Sequence, residues 1–401
     1  RNHPCVCWWG MWNEIFNMAS PDAAWARKAF EFAPLAAELD PSRPIVAASY
    51  KEIGRVSPEA LATLNRSVPN ICYNIYPGWY VQPDISNSMK RELDVFFAQN
   101  DVQTTALSEY GVGGSVHQHQ NPPEKPKTTA MFHPEEWQTK QLTDDLRDIT
   151  ADGRLWGSFV WAMFDFSHDG RREGDRYGIL DKGIVTRDRA ILKDAFYLYK
   201  ANWNPEPLLH LCSKRMTTTT NAVCEVMCFS NVGDVALKVN GETVATATPD
   251  SVKSVTFAGV RLAPGANEIV VEAGGLRDTA HWTLEAEEPA YTPEEWNLKA
   301  RGDFAADRFG IFITWGLYSI LGSSRELSPE AKKLDREAYE RVADGFYPSA
   351  FDAKEWAAAI KRSGARYVTF VSRHHDGFAL WPSKVDKWNV GHCPFKRDIV
   401  G

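Results

Sequence analysis

Two glutamates stand in short motifs whose residue types could carry acid/base and nucleophilic chemistry. Glu14 closes the tripeptide WNE at 12–14, Glu109 lies in the tetrapeptide SEYG at 108–111, and each follows an apolar run typical of a β-strand. Glycoside hydrolysis requires two carboxyl groups facing one sugar, one to protonate the leaving oxygen and one to attack the anomeric carbon. Each glutamate could also be a solvated loop residue, so the spacing alone leaves both interpretations open.

A second cluster is the adjacent pair His374 and His375, which also follows an apolar run. Such histidines could be metal ligands, hydrogen-bond partners of sugar hydroxyls or structural residues. Neighbouring side chains on a strand point to opposite faces, so two adjacent histidines are poorly placed to share one metal ion. The sequence therefore predicts no metal site and leaves the other two interpretations open.

Short apolar runs alternate with helical patterns over residues 1–204, which predicts β/α units around a parallel sheet. The predicted strands are Val6–Trp9, Ile45–Ala48, Ile71–Tyr76, Thr104–Ser108 and Leu155–Trp161. Pro134, with two glutamates after it, predicts the start of a helix. The carboxyl ends of parallel strands meet at one face of a barrel, so this arrangement could bring Glu14 and Glu109 together.

The pattern changes over residues 205–288, where short alternating strands predict an immunoglobulin-like β-sandwich. Apolar residues alternate over 235–239, and Asn240-Gly241 predicts the tight turn of a hairpin. Residues 289–401 return to β/α alternation, with strands at Phe309–Ile313 and Tyr367–Val371 around a helix at Phe351–Ile360. This segment is shorter than the ~250 residues of a complete barrel, which predicts a second, partial α/β barrel.

Composition excludes several classes of protein. The 401 residues are 44% apolar and 24% charged, which predicts two or three globular domains. A net charge of −7 gives no electrostatic reason to expect a nucleic acid or an anionic membrane as partner. No apolar run approaches the ~20 residues of a membrane span. The 15 tryptophans favour carbohydrate binding, because flat rings pack on sugar faces, although most are expected in the core.

Seven cysteines without zinc-like spacing predict buried free thiols, including Cys5 and Cys7. The chain begins at Arg1 and ends at Gly401 directly after an apolar stretch. We therefore expect a fragment of a longer protein, from which no leader peptide can be inferred.

Residues 1–204 resemble glycoside hydrolase family 2, the β-galactosidase and β-glucuronidase family. The resemblance rests on RNHP at 1–4 before Asn13-Glu14, SEYG at 108–111, Asn74-Ile75-Tyr76, Gly78-Trp79-Tyr80, Val160-Trp161, Lys182-Gly183 and TRDR at 186–189. It implies a partial TIM barrel made of the last five strands.

By this resemblance Glu14 is the general acid/base and Glu109 the nucleophile. Asn13 would bind the sugar 2-hydroxyl, Tyr76 would hydrogen-bond Glu109, and Trp161 would form part of the sugar-binding wall. Retention of configuration would place the two carboxyl groups ~5–5.5 Å apart.

The sugar specificity depends on one tripeptide. Glucuronidases of the family carry an Asn-x-Lys pair for the sugar carboxylate, whereas this chain has Leu180-Asp181-Lys182. A lysine beside an aspartate is poorly suited to binding an anion, which favours a β-galactoside and leaves a β-glucuronide as the alternative.

Residues 292–401 resemble the opening of glycoside hydrolase family 29, the α-L-fucosidases. The matching stretches are FGIFITWGLYS at 309–319, HHDGF at 374–378 and WPSK at 381–384. The resemblance implies that His374 and His375 bind fucose hydroxyls and that Trp315 is a substrate-binding position. Thr314 replaces a family histidine, and the family's aspartate nucleophile belongs to a later strand, so no catalytic residue is assigned here.

The sequence thus predicts a retaining exo-glycosidase for terminal β-D-galactosides, fused to an incomplete α-L-fucosidase-like segment. A β-glucuronidase and a non-catalytic carbohydrate-binding or scaffold protein remain the alternatives. The expected partner is an oligosaccharide or glycan, with no cofactor, metal, nucleic acid or membrane span. The family resemblance implies a periplasmic or secreted location.

Overall fold

The computed structural model describes residues 3–15, 23–50, 58–80, 87–170, 173–285, 292–321 and 336–401. The chain divides into two compact units, Arg1–Glu288 and Pro289–Gly401. Within the described ranges, no helix has both the length and the apolar character needed to cross a membrane.

The first unit begins with a five-stranded parallel sheet whose strands are neighbours in chain order. The strands are β1 (Trp9–Asn13), β2 (Ile45–Tyr50), β3 (Asn70–Asn74), β4 (Thr105–Tyr110) and β5 (Leu155–Val160). The helices are α1 (Ala23–Leu39), α2 (Pro58–Asn65), α3 (Met89–Gln99), α4 (Glu135–Ala151) and α5 (Asp194–Trp203). This order confirms the predicted α/β, TIM-barrel-like architecture. A short antiparallel pair, β6 (Phe166–Ser167) and β7 (Ile179–Leu180), follows β5.

Two strand predictions need correction. The first strand is not Val6–Trp9 but β1, because the Val6 N–H turns back to the carbonyl of His3 and pairing with β2 begins only at Trp9. The fourth strand extends beyond Ser108, so Glu109 lies inside β4 and not after it.

Helix α4 begins as predicted, directly after Pro134. Leu142, Leu146 and Ile149 recur on its buried face and join the core beneath the parallel sheet. The two glutamates of its first turn, Glu135 and Glu136, are also buried, which the local pattern did not indicate.

The rest of the first unit forms two β-sheets around a shared apolar core. One sheet contains β8 (Leu209–Leu211), β10 (Val223–Ser230) and β13 (Ser254–Arg261). The other contains β9 (Thr218–Thr219), β11 (Val235–Val239), β12 (Glu242–Ala247), β14 (Gly265–Ala273) and β15 (Leu276–Leu284). Asn240 and Gly241 both have positive φ, as a type I′ hairpin turn requires. The immunoglobulin-like assignment stays a prediction.

The prediction of buried thiols holds for five cysteines and is wrong for two. Cys72, Cys212, Cys224, Cys228 and Cys393 are buried, whereas Cys5 and Cys7 are exposed. Those two precede β1, in the stretch where the predicted strand does not form.

The second unit contains two parallel strands, β16 (Gly310–Ile313) and β17 (Tyr367–Phe370). Its α-helices are α6 (Glu295–Asp307), α7 (Arg336–Glu340) and α8 (Ala353–Arg362), with 3₁₀ turns at Leu317–Leu321, Arg341–Gly345 and Val390–His392. Asp352 caps α8 with its side chain, and Gly364, at φ +84°, follows its last turn. The assignment of this unit to a second, partial α/β barrel stays a prediction.

Candidate active site

Glu14 is the first residue after β1 and lies at the carboxyl end of the parallel sheet. Its φ is +45°, in the left-handed region that non-glycine residues rarely adopt. The Glu14 N–H donates to the carbonyl of Ala48 over 3.0 Å, which ties this strained residue to β2. Strained backbone tends to be kept where a side chain must be aimed, so Glu14 is a strong candidate for a functional residue.

Glu109 lies at the same edge of the sheet, one residue before the end of β4. It is paired in register with Asn74 of β3, and its carbonyl accepts from the N–H of Ile75 over 3.0 Å. The sheet therefore fixes the backbone of Glu109 and leaves its half-buried carboxyl group at the carboxyl ends of the strands. Enzymes with this barrel carry their chemistry at that face.

Asn74 connects the two motifs. Its side-chain nitrogen donates to Glu14 Oε1 over 2.8 Å and to Asn13 Oδ1 over 3.0 Å. Its side-chain oxygen accepts from the hydroxyl of Ser108 over 2.5 Å. Asn74 is 2% exposed, so one buried amide links the end of β1 to the end of β4.

Tyr76 donates a short hydrogen bond to Glu109 Oε2. Burial and the neighbouring carboxylate raise the pKa of Tyr76 far above its usual value, so the phenol remains a donor. Burial raises the pKa of Glu109, and the charge of Glu14 raises it further. The Tyr76 hydrogen bond and the Lys182 cation act in the opposite direction, and the net pKa of Glu109 lies above its ordinary value.

Lys182 supplies a buried cation beside these carboxyl groups. Its Nζ donates to the hydroxyl of Tyr80 over 2.9 Å and lies 3.7 Å from the ring centroid of Tyr76. The adjacent Asp181 does not pair with it, because Asp181 Oδ2 lies 2.8 Å from Nδ1 of His133. The two consecutive side chains therefore have separate surroundings.

Trp161 directly follows β5 and is 39% exposed, and the centroid of its ring lies 5.7 Å from that of Phe166. The backbone beside the ring is tightly packed. A Cβ on Gly111, which has φ +146°, would lie 2.7 Å from the carbonyl oxygen of Trp161. Cβ atoms on Gly113 and Gly114 would lie 2.3 Å from Asp181 Oδ1 and 2.6 Å from the side chain of Gln138.

The arrangement can act on a bond held between two carboxyl groups. Glu14 receives a hydrogen bond from the amide of Asn74, and Glu109 receives one from the phenol of Tyr76. The charge of Glu14 raises the pKa of Glu109. Two carboxyl groups in different surroundings can take the separate roles of proton donor and nucleophile. Asn74 also hydrogen-bonds Glu109, so the structure brings Glu14, Glu109, Asn13 and Tyr76 into one network of hydrogen bonds.

Four polar residues around the two candidate glutamates were not predicted to make the contacts described above: Asn74, Ser108, Tyr80 and Lys182. Asn74 and Tyr80 both lay in quoted motifs around Tyr76. The sequence signal for Asn74 was its place at the end of the strand next to the one that carries Glu109. The carboxyl ends of neighbouring parallel strands lie at the same edge of a sheet, which places Asn74 near that glutamate. Lys182 was predicted as the counterpart of the glucuronidase lysine, but its contacts with Tyr76 and Tyr80 were not predicted.

In the second unit, His374 and His375 lie in a turn after β17, closed by a hydrogen bond from the Gly377 N–H to the His374 carbonyl. The His375 N–H donates to His374 Nδ1 over 2.8 Å, and the His374 ring stands edge-on to Tyr318. The ring of Trp315 packs against Phe351 and other aromatic residues at the margin of the core. These contacts are those of a packing residue, and its sugar-binding role stays a prediction.

Among the described residues, one group brings three possible metal ligands within 4.8 Å of one another, namely Asp194, His210 and Cys212. Asp194 already accepts from His210 over 3.0 Å and from the Ser213 N–H over 2.6 Å. Arg215 lies 3.1 Å from the same carboxylate. With a guanidinium already present, this group forms an ion-pair cluster and does not suit a cation.

Comparison with known proteins matches each unit to a family model. Residues 1–206 match "Glycosyl hydrolases family 2, TIM barrel domain", and residues 279–401 match "Alpha-L-fucosidase". A β-glucuronidase of Bacteroides fragilis is 35% identical over 277 residues, which are 69% of this chain and 38% of that protein. A tissue α-L-fucosidase of Bos taurus is 30% identical over 158 residues, 33% of each chain.

Among solved structures, an FMN-binding β-glucuronidase from Facaelibacterium prausnitzii L2-6 superimposes with a TM-score of 0.62 at 29% identity. The superposition covers 72% of this chain and 42% of that one. The chain therefore spans well under half the length of the relatives that its first unit matches.

Proposed function

Since the chain belongs to the family 2 glycosyl hydrolases through the TIM barrel segment at residues 1–206, we propose that it hydrolyses a terminal β-linked sugar with retention of configuration. In this proposal Glu109 attacks the anomeric carbon and Glu14 first donates a proton to the leaving oxygen, then activates the water that releases the sugar. The observation that carries the proposal is the single network joining Glu14, Asn74 and Glu109 at the carboxyl ends of the strands.

The surrounding residues have defined parts in this mechanism. Asn13, held by Asn74, would bind the sugar 2-hydroxyl, and the exposed ring of Trp161 would form one wall of the sugar pocket. Tyr76 would stabilise the ionised form of Glu109 between turnovers. A separation of the two carboxyl groups of ~5–5.5 Å belongs to this mechanism.

For the sugar we favour a β-D-glucuronide. The sequence argued for a β-galactoside because Asp181 stands beside Lys182. In the structure Asp181 is hydrogen-bonded to His133, so His133 and not Lys182 compensates the charge of Asp181. Lys182 faces Tyr76 and Tyr80. A buried ammonium at this position suits a sugar carboxylate. The relationship to the Bacteroides fragilis β-glucuronidase supports the same choice.

A β-D-galactoside remains the second candidate, and one observation favours it. Leu180, where glucuronidases of the family have asparagine, is buried and offers no donor to an anion. The two candidates differ in one measurable quantity, the ratio of kcat/KM for an aryl β-glucuronide to that for an aryl β-galactoside. A ratio above one supports the glucuronide, and a ratio below one supports the galactoside.

The catalytic assignment is tested with Glu14→Gln and Glu109→Gln, and Glu38→Gln on the exposed face of α1 is the matched control. We expect hydrolysis to fall by about 10²–10⁴-fold for Glu14→Gln and at least as far for Glu109→Gln, with no change in the control. A 2-deoxy-2-fluoro glycoside should label Glu109 covalently, as peptide mass spectrometry would show. Full hydrolysis by both variants would show that these two glutamates are not the catalytic pair, and binding of glycosides without hydrolysis by the unmodified chain would instead indicate a carbohydrate-binding or scaffold protein.

For the second unit we propose fucose binding by His374 and His375, supported by the family match over residues 279–401. The accepting Nδ1 of His374 makes its Nε2 the donor in the neutral ring, which suits a sugar hydroxyl oxygen. Chemical-shift changes of both imidazoles with L-fucose, but not with D-glucose, would support this proposal.

We further propose that the two-sheet segment is an immunoglobulin-like domain over 205–288, between partial barrels at 1–204 and 289–401.

A further inference from the structure

His133 and Asp181 form a buried pair, and Asp181 directly precedes Lys182 in the chain. The His133 side chain is fully buried, and Asp181 is 3% exposed. His133 Nδ1 lies 2.8 Å from Asp181 Oδ2, and His133 Nε2 lies 3.1 Å from the carbonyl oxygen of Thr128. Both ring nitrogens therefore face oxygen acceptors.

This geometry indicates the charge of the ring. A carbonyl oxygen can only accept, so Nε2 must carry a proton, and an ionised carboxylate likewise requires a proton on Nδ1. A ring with both protons is an imidazolium. Burial lowers the pKa of His133, but the hydrogen bond and charge of Asp181 and the carbonyls of Lys127 and Thr128 raise it above the usual value overall.

Asp181 depends on this partner. Its other oxygen, Oδ1, is buried without a hydrogen-bond partner in the described part of the chain. The neighbouring charges are Asp165, which adds repulsion, and Lys193, whose Nζ donates to Asp165 and to the backbone carbonyl of Asp181 over 2.9 Å. Lys193 thus fixes the backbone at Asp181, while His133 compensates the charge of its side chain.

The pair also supports the aromatic residues around Lys182. The His133 ring stands edge-on to Trp79, with centroids 4.8 Å apart, and the Thr128 hydroxyl donates to the Trp79 carbonyl over 2.6 Å. Trp79 precedes Tyr80, the hydroxyl partner of Lys182. The pair is therefore in contact with both chain segments that set the position of the Lys182 ammonium group.

We propose that His133 and Asp181 are a positioning pair for Lys182, which keeps the Lys182 cation available to an anionic group of the sugar. This inference rests on the proposed glycosidase function and adds to it the element that controls preference for a charged sugar. Without His133, the Asp181 carboxylate is a buried, uncompensated negative charge next to Lys182, and it opposes the binding of a second carboxylate.

The test compares His133→Gln, the double variant His133→Gln/Asp181→Asn and the control His119→Gln. His119 makes a similar contact, 2.9 Å from Nδ1 to Glu136 Oε1, with a carboxylate that is not adjacent to Lys182. The measured quantity is the kcat/KM ratio for an aryl β-glucuronide over an aryl β-galactoside. We expect His133→Gln to lower this ratio about 10-fold, chiefly through KM for the glucuronide. The double variant should recover most of the wild-type ratio, and His119→Gln should leave the ratio unchanged.

An equal loss for both sugars, an unchanged ratio, or a double variant no better than His133→Gln would overturn the proposal. A direct measurement on the unmodified chain keeps it testable if the variants fail to fold. Nitrogen-15 NMR of the imidazoles should show both His133 nitrogens protonated at pH 7, and a neutral ring would overturn the proposal.

Failure of the glycosidase proposal itself has a different signature. In that case the unmodified chain hydrolyses neither glycoside, or Glu14→Gln and Glu109→Gln leave hydrolysis unchanged, whereas calorimetric binding of D-glucuronate in preference to D-galactose still reports on the pair. Loss of that preference in His133→Gln would support the positioning role even then, and an unchanged preference would overturn it.

Discussion

The side-chain nitrogen of Asn74 lies 2.8 Å from Glu14 Oε1, although the two residues are 60 positions apart in the chain. The orientation of the Asn74 amide is determined by its partners, because Ser108 can donate a proton only to the oxygen end. Glu14 thus receives a hydrogen bond from a buried donor at the end of β3.

We predict that Asn74→Ala lowers kcat/KM by about 10–100-fold, because Glu14 and Asn13 lose the donor that orients them. The loss should be larger for substrates with poor leaving groups, which need the proton from Glu14 most. Steady-state kinetics on aryl glycosides of graded leaving-group pKa would measure this. Asn70→Ala, at the other end of β3, serves as the control. A loss independent of the leaving group would contradict the prediction.

Tyr76→Phe should move the acidic limb of the pH profile to higher pH. The Tyr76 hydrogen bond favours the ionised form of Glu109, so its removal raises the pKa of Glu109 further. A nucleophile must be ionised, and with a higher pKa it becomes active only at higher pH. The measurement is kcat/KM against pH, with Tyr347→Phe, an exposed tyrosine of the second unit, as control. A limb that stays in place or moves to lower pH would be evidence against this role.

Arg215→Met should destabilise the first unit by about 3–5 kcal/mol, because it leaves two buried carboxylates without their cation. Arg215 Nε lies 2.8 Å from Glu135 Oε2, and its guanidinium also reaches Asp194. Burial and the charge of Asp194 already raise the pKa of Glu135, so the cost should grow with pH as Glu135 is forced to ionise.

Urea unfolding followed by hydrogen exchange in α4 peptides would measure this cost. Lys28→Met, which breaks only the exposed ion pair with Glu31, should cost under about 1 kcal/mol. Similar effects of the two substitutions would contradict the prediction.

Two glycines of the second unit should respond to alanine with opposite signs. Gly364 has φ +84°, and alanine there should cost about 1–2 kcal/mol. Gly302 lies inside α6 with open space around it, and alanine there should add about 0.5–1 kcal/mol. Hydrogen exchange of α8 and α6 peptides would report each change. A protective effect at Gly364 would show that its positive φ is not required.

Local patterns in the sequence predicted the elements, whereas long-range pairing determined what the polar residues do. The five parallel strands and the start of α4 follow from apolar periodicity and from Pro134. The burial of Glu135 does not, because its partner Arg215 is 80 residues away and belongs to the β-sheet segment.

In the candidate site, too, local motifs predicted the residues, and long-range contacts determined their surroundings. Glu14, Glu109 and Tyr76 came from motifs, and the structure joins them. The interpretation of Asp181 as a competitor for Lys182 followed from adjacency alone. It missed His133, 48 residues earlier, which takes up that carboxylate.

The close packing at Gly111, Gly113 and Gly114 has a practical consequence for engineering. Any side chain at these positions would collide with the carbonyl of Trp161, with Asp181 or with Gln138. A randomised library aimed at changing sugar preference would therefore yield mostly unfolded clones if it included them. Diversity is better placed at Leu180. Its replacement by asparagine would supply the side-chain donor that glucuronidases of the family have there, without changing the three glycines.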